Sequence, residues 1–145
     1  MTSIIKKEHC KVEFFIRDVF VTSFEYNNFT QEINFIGVKT PITISIQDFK
    51  DATDEIDKFE SFISSIFHPL ITPKTPFKLD IEKFQKTKRI SFSLSIDNKK
   101  ISDFDFNIDK QEVIINNIDS SVLKWTDWIK TNQLRRQLLE EVKNY

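Results

Sequence analysis

Glycine occurs once in this chain of 145 residues, at Gly37, whereas phenylalanine occurs fifteen times. Glycine supplies the positive-φ turns and close backbone approaches on which phosphate-binding loops, dinucleotide fingerprints and nucleophile elbows depend. A chain with one glycine has little scope for these sites, and its turns must be formed by Asn, Asp, Lys and Pro. Alanine also occurs once and seventeen lysines accompany four arginines, as expected of AT-rich coding DNA.

The overall composition predicts one soluble domain spanning residues 1–145. Aromatic and β-branched residues provide enough apolar surface for a core, and the length is that of a single domain. The net charge of −1 predicts no general attraction to nucleic acid or to anionic membranes. Cys10 has no partner for a disulfide, and no stretch is apolar enough for a signal peptide or a membrane span, so a cytoplasmic location is expected.

Alternating apolar residues predict most of the chain to be β-strand. Apolar side chains occupy alternate positions from Val12 to Phe24, where Asp18 interrupts the pattern and predicts a bulge or a bend. Further strands are predicted near residues 33–38, 41–46, 77–81, 90–96, 104–108 and 113–115.

Two helices interrupt this pattern. Apolar residues spaced three or four apart predict the first helix at 48–67, with Asp48 as its N-cap and Pro69 beyond its end. Residues 68–76 are then expected to form a crossover loop. The second helix is predicted at 120–144, where two apolar stripes are rotated by about 140°. Such a helix is either buried on two sides or broken near Thr131, and one continuous helix with a bend is favoured.

The order of elements predicts an α+β fold. Runs of strands that each end in a helix favour a mainly antiparallel sheet of about six to seven strands, with both helices packed on one face. The order β-β-β-α followed by β-β-β-β-α hints at an internal duplication. Because the strand counts differ and the halves do not align convincingly, a repeat is not favoured.

The register of one hairpin can be proposed from its pattern. Apolar residues lie at even positions in both strands, so facing residues must sum to an even number if one face is to be buried. A three-residue loop at 98–100 gives a sum of 198. The resulting cross-strand pairs are Phe92–Phe106, Leu94–Phe104, Ser95–Asp103, Ser93–Asp105, Ser91–Asn107 and Arg89–Asp109.

Few residues suggest catalysis or metal binding. Asp103 and Asp105 leave the same face of a strand about 6.5–7 Å apart, a spacing open to a divalent cation or to acid–base chemistry, and Asp109 extends this face. The alternating pattern requires polar residues there in any case. His9, Cys10 and His68 fall short of the four ligands of a typical zinc site, so no metal and no cofactor is predicted.

Charge is distributed unevenly along the chain. Residues 48–60 contain six acids and two lysines, a local charge of −4, whereas residues 67–89 contain six basic and two acidic residues. The acidic segment is either an ordinary solvated helix face or a surface that steers and binds a basic partner. Trp128 is either a core residue or an interface residue. The candidate partner-binding residues are Asp51, Asp54, Glu55, Asp57, Glu60 and Trp128.

Three functions remain open at this point. In general character the chain resembles bacterial immunity proteins, which neutralise a toxin by direct binding, although no particular motif carries that resemblance. A non-enzymatic protein-binding module with an acidic surface is therefore expected, and its expected partner is another protein, for example a basic toxin domain. The alternatives are a structural subunit of a phage or secretion assembly that builds a homo-oligomer, and a ligand-binding protein or enzyme that uses Asp18, Asp103 and Asp105.

Overall fold

Two antiparallel sheets and two helices make up the fold, as a computed structural model shows for residues 10–16, 18–37, 41–67 and 75–145 and for the backbone of 3–8. The predicted α+β class is confirmed. His9, His68 and most of the predicted crossover loop lie outside the described residues. In chain order the elements are β1 (Ser3–Glu8), β2 (Lys11–Ile16), β3 (Val19–Asn27), β4 (Glu32–Ile36), β5 (Ile42–Ser45), α1 (Ile46–Ile66), β6 (Phe77–Phe84), β7 (Arg89–Ile96), β8 (Lys99–Asn107), β9 (Glu112–Ile118), β10 (Ser121–Lys124) and α2 (Trp125–Lys143).

The strands form two five-stranded sheets, so the prediction of one sheet of six to seven strands was wrong. The strand order is β1-β2-β3-β4-β10 in the first sheet and β5-β9-β8-β7-β6 in the second. One cause of the difference is Asp18, which has a φ of 65° and lies in a tight turn. The predicted strand from Val12 to Phe24 is therefore a hairpin, β2 and β3, rather than one bent strand.

The β7–β8 hairpin keeps the predicted faces but has a different register. Asp97 and Asn98 form a two-residue turn with φ values of 53° and 65°. Beside this turn the ladder contains a bulge, where the register shifts between Leu94 and Ser95. With a two-residue turn alone, each odd-numbered residue of β7 would face an even-numbered residue of β8. The bulge adds one residue to β8, so that the numbers of facing residues again sum to an even number. The observed sum is 196, so Phe92 faces Phe104. The other pairs with this sum are Arg89–Asn107, Ile90–Phe106, Ser91–Asp105, Ser93–Asp103 and Leu94–Ser102.

Helix α1 begins two residues earlier than predicted. Ser45, not Asp48, is the N-cap, because its hydroxyl oxygen accepts a hydrogen bond from the backbone N–H of Asp48 at 3.0 Å. The Asp48 carboxylate lies in the first turn, where the helix dipole favours negative charge.

Helix α2 begins at Trp125, so the predicted start at residue 120 was wrong. Residues Ser121–Lys124 form β10, which pairs with β4. The helix then continues without a break through Thr131 to Lys143. Of the two predicted stripes, Leu134, Leu138 and Val142 are buried, whereas in the other only Trp125 is buried, because Ile129 is half-buried and Val122 lies exposed in β10.

A single apolar core joins both sheets and both helices. Trp128 contacts Phe24 of the first sheet and Phe59 of α1, with ring centroids 5.7 and 6.0 Å apart. Phe49 of α1 contacts Phe104 of the second sheet at 5.5 Å. Because the core fixes both helices, it also fixes the polar surface where they meet.

Candidate partner-binding groove

Two of the predicted partner-binding carboxylates bind helix α2 instead of facing outward. The Nε and a terminal nitrogen of Arg136 lie 2.9 and 2.8 Å from Asp57 Oδ1. Glu60 Oε1 accepts from Asn132 at 2.8 Å and from Arg136 at 3.3 Å. The hydrogen bond with Asp57 is the largest cause that raises the pKa of Arg136. Asp57 and Glu60 therefore hold α1 to α2.

A second guanidinium, Arg135, lies deeper beside this pair. Burial lowers its pKa to about 10, and the carboxylates of Asp57 and Glu60 partly offset that effect. Arg135 stays charged at neutral pH and donates a hydrogen bond to Asn132 Oδ1. The two acids and two guanidinium groups have a formal charge of zero, so the half-buried contact between the helices is electrically balanced.

The exposed carboxylates of α1 are Asp51 and Asp54. Asp51 accepts a hydrogen bond from Gln47 at 2.8 Å on the same helix face. Glu55 is half-buried and lies 3.3 Å from Lys58 Nζ. The acidic surface predicted from the sequence is thus narrower than expected and is centred on Asp51 and Asp54.

An open groove of about 680 Å³ lies beside Asp54, between α1, the C-terminal half of α2 and the β8–β9 turn. Its apolar lining residues are Ile46, Ile108, Leu139, Val142 and Tyr145. Its polar lining residues are Lys50, Thr53, Asp54, Asp57, Gln111, Arg136, Gln137, Glu140 and Lys143. The Tyr145 hydroxyl is enclosed and has no hydrogen-bond partner among the described residues. A groove with an apolar wall and several charged groups suits an amphipathic segment of another protein.

Trp128 is placed differently from the predicted surface residues. Its side chain is 1% exposed and is enclosed by aromatic rings of the core. It cannot contact a partner in this structure, so Trp128 is removed from the candidate partner-binding set.

The second candidate face, on the outside of the second sheet, is already internally bonded. Asp105 Oδ1 accepts from Ser91 and lies 3.4 Å from Arg89, and Asp105 Oδ2 accepts from Asn116 at 2.9 Å. Burial raises the pKa of Asp105, but the hydrogen bonds from Ser91, Asn116 and Arg89 together outweigh it, so this pKa lies below its usual value. Asp105 is therefore a carboxylate at neutral pH and a poor proton donor.

Asp103 and Asp109 do not combine with Asp105 into one site. Asp103 leaves the same face as Asp105, as predicted, but it lies 2.6 Å from Lys100 Nζ. Asp109 is exposed in the β8–β9 turn. The predicted pairing of Arg89 with Asp109 was wrong, because the observed register brings Arg89 to Asp105.

The Asp105 network predicts a loss of stability in acid. Its lowered pKa stabilises the fold above the unfolded-state value of about 3.9, and this contribution is lost as the pH falls through the folded-state value. We expect Asp105→Asn to lower the free energy of unfolding by about 1 kcal/mol at pH 7. Urea titrations should show that this difference from the wild type shrinks towards zero as the pH falls below the unfolded-state value.

The exposed Asp109 provides the control for this experiment. Asp109→Asn should change the free energy of unfolding by less than about 0.5 kcal/mol at pH 7. A wild-type advantage over Asp105→Asn that stayed constant from pH 7 to pH 3 would contradict the assigned network.

Sequence reasoning missed Asn132 and Arg136 as structural partners of the acidic helix. On an ideal helix Asn132 falls between the two apolar stripes of α2, which marks a polar position on a helix that is otherwise apolar there, whereas Arg136 lies in line with Trp125 and Ile129. Nothing in the pattern indicates that these residues meet a helix more than 70 positions away.

Among the described residues, no group of three or more His, Cys, Asp or Glu side chains is arranged to hold a metal ion. Burial raises the pKa of the Cys10 thiol, with a smaller contribution from Glu25. In the same part of the chain, neither helix has the length and apolar character needed to cross a membrane.

Comparison with known proteins found no matching family model, no matching curated protein and no matching solved structure.

Proposed function

We propose that the protein is a non-enzymatic binding module of the immunity or antitoxin type, which neutralises a cognate bacterial toxin in the cytoplasm. The observation that carries the proposal is the position of two exposed carboxylates on α1, a helix fixed by the core: Asp54 lines the 680 Å³ groove, and Asp51 lies about one helical turn before it. The partner is a protein with a basic surface, such as a nuclease toxin domain. Its apolar side chains enter the groove while its basic side chains meet the carboxylates.

The rigidity of this surface supports the proposal. Asp51 and Asp54 are three residues apart on one helix face, so their Cβ atoms are about 5–6 Å from each other. The Arg136 contacts with Asp57 and Glu60 join α1 to α2 beside this surface. A surface that is ordered before binding loses less conformational entropy when the partner docks.

Reversal of the two exposed charges tests the proposal. We expect Asp51→Lys/Asp54→Lys to weaken binding to the co-purified native partner about 10- to 100-fold, and to reduce the dependence of Kd on salt. Both side chains are exposed, so the melting temperature should change little. Asp57 is left unchanged, since its reversal would break the contact with Arg136.

The matched control places the same change of charge on the second sheet. Asp80→Lys/Glu82→Lys alters two exposed carboxylates of β6 and should leave the affinity within about twofold of the wild type. Normal binding by the helix variant together with loss of binding by the control would move the partner site to the second sheet and refute the helix groove.

A further inference from the structure

The two sheets are built in the same way. Each contains a four-stranded meander, β1–β4 or β6–β9, and one additional short strand beside the last strand of that meander. In each sheet the short strand comes from the other half of the chain. Both short strands, β5 and β10, continue directly into a helix. Residues 3–66 and 77–143 are called the first and second repeats below.

The second hairpin of each repeat, β2–β3 or β7–β8, has the same register and the same irregularities. In the β2–β3 hairpin the register shifts at Phe14 and Phe15, and in the β7–β8 hairpin it shifts at Leu94 and Ser95, 80 positions later. The turn after each bulge contains a residue with a φ of 65°, Asp18 in the first repeat and Asn98 in the second, again 80 positions apart. Two unrelated hairpins that merely belong to the same fold class have no reason to carry bulges at equivalent positions.

The next turn repeats as well. Asn27 and its equivalent Asn107 both accept a backbone hydrogen bond three residues ahead through Oδ1, from Thr30 and from Lys110. Gln31 and Gln111 then adopt φ values of 57° and 53°. At an interval of 80, five of the 26 positions in 11–36 match those in 91–116. They are Ile16/Ile96, Phe24/Phe104, Asn27/Asn107, Gln31/Gln111 and Glu32/Glu112.

Each of these turns also holds the helix of the other repeat. The first backbone N–H of α2, at Trp125, donates to the Gln31 carbonyl at 3.1 Å. The first backbone N–H of α1, at Ile46, donates to the Gln111 carbonyl at 2.9 Å. The exchange of strand and helix is therefore reciprocal.

The helices correspond at an interval of 79. Their N-cap residues, Ser45 and Lys124, have the same extended backbone conformation. Buried positions coincide along both helices, at Phe49/Trp128, Thr53/Asn132, Phe59/Leu138 and Ile63/Val142. Asp57 and Arg136 also correspond, and they bind each other. If the two repeats were identical, the same residue would occupy both positions and would face its own copy. The opposite charges of Asp57 and Arg136 therefore require that the sequences of the two repeats have diverged.

We infer that the chain is a duplicated unit of five strands and a helix, and that its two copies have exchanged their last strand and helix. The shared register of the β2–β3 and β7–β8 hairpins, the matching turns that follow them and the reciprocal helix contacts are those of a strand-exchanged homodimer whose two chains have been joined. The connections that carry the exchange meet at Gly37, which lies against the backbone of Ile118 and donates to Ser120 Oγ at 3.0 Å.

Disulfide cross-linking tests the exchange in the full-length chain. The exposed, directly paired positions Thr43 with Ile114 and Asn34 with Val122 each join a short strand to the other repeat. On a Cys10→Ser background, we expect both Thr43→Cys/Ile114→Cys and Asn34→Cys/Val122→Cys to oxidise within one chain. The thiol count should fall from two to near zero, because facing Cα atoms lie within disulfide range.

The matched pairs are those that would face each other without exchange, because Thr43 corresponds to Val122 and Asn34 to Ile114. Asn34→Cys/Thr43→Cys and Ile114→Cys/Val122→Cys should keep both thiols in the folded protein. Oxidation of these matched pairs would overturn the exchange. Disulfides between two chains would show that it is intermolecular, which would also overturn the inference. If no pair oxidised in the folded state while the unfolded chains did, the strand pairing itself would be refuted.

A circular permutant tests the equivalence of the repeats. The chain uses the ten residues 67–76 to pass from α1 to β6. By symmetry, ten residues should also join α2 to β1, and residues 144, 145, 1 and 2 supply four of them. A permutant that runs from residue 75 to 145, through six Gly/Ser residues, and then from 1 to 74 should melt within about 5 °C of the wild type. Failure to fold, even with a twelve-residue linker, would refute the equivalence.

Discussion

Replacement of the single glycine, Gly37→Ala, is expected to lower the free energy of unfolding by about 3 kcal/mol. A Cβ at this position would stand 1.9 Å from the carbonyl oxygen of Ile118 and 2.5 Å from its carbonyl carbon. These are backbone atoms, which cannot turn aside as a flexible side chain would. Thermal unfolding followed by circular dichroism should show a melting temperature about 10 °C lower.

Ser120→Ala is the control for this prediction. It removes the hydrogen bond from the Gly37 N–H to Ser120 Oγ without adding volume, and should cost only about 1 kcal/mol. The close approach therefore predicts that Gly37→Ala is clearly the more damaging of the two. Equal melting temperatures for Gly37→Ala and the wild type would show that the two connections do not meet as described.

The approximate positions of strands β4 to β9 followed from the alternation of apolar residues, but the register of β7 with β8 did not. Alternation requires only that facing residues sum to an even number, and the sums 196 and 198 bury the same faces. The choice between them depends on a bulge at Leu94 and Ser95, and a bulge leaves the apolar pattern unchanged. Local patterns therefore predict which side chains are buried more reliably than which of them face each other.

Strand β10 shows how a distant contact overrides a local pattern. Val122, Trp125 and Ile129 have the spacing of a helical stripe, and this spacing led to a helix predicted from residue 120. The structure instead pairs Val122 with Asn34, 88 positions earlier, and leaves its side chain exposed. A strand of four residues that is completed by the other repeat cannot be recognised from its own sequence.

The acidic segment proposed as the candidate site is exposed only in part. Net charge along the chain identified the acidic segment 48–60, and Asp51 and Asp54 are indeed exposed. Asp57 was counted with them because a sequence does not show that Arg136 lies 2.8 Å away across the helix contact. Only the fold determines which charges are neutralised within the molecule and which remain available to a partner.

Truncation of Trp128 to alanine is expected to lower the free energy of unfolding by about 3–5 kcal/mol. The side chain is 1% exposed and its ring contacts Trp125, Phe24 and Phe59, so its removal leaves a cavity shared by both helices and the first sheet. Urea unfolding of the purified variant measures this loss. The exposed Phe29, of which 96% is accessible, gives the control Phe29→Ala, which should cost less than about 0.5 kcal/mol.

Trp128→Phe separates a core role from a partner-binding role for this residue. The indole N–H has no hydrogen-bond partner among the described residues, and the equivalent residue of the first repeat is Phe49. Phenylalanine should therefore cost only about 1 kcal/mol and should leave partner affinity within about twofold of the wild type. A stable Trp128→Phe variant that lost binding would place the indole in the interface, and a Trp128→Ala variant as stable as the wild type would remove it from the core.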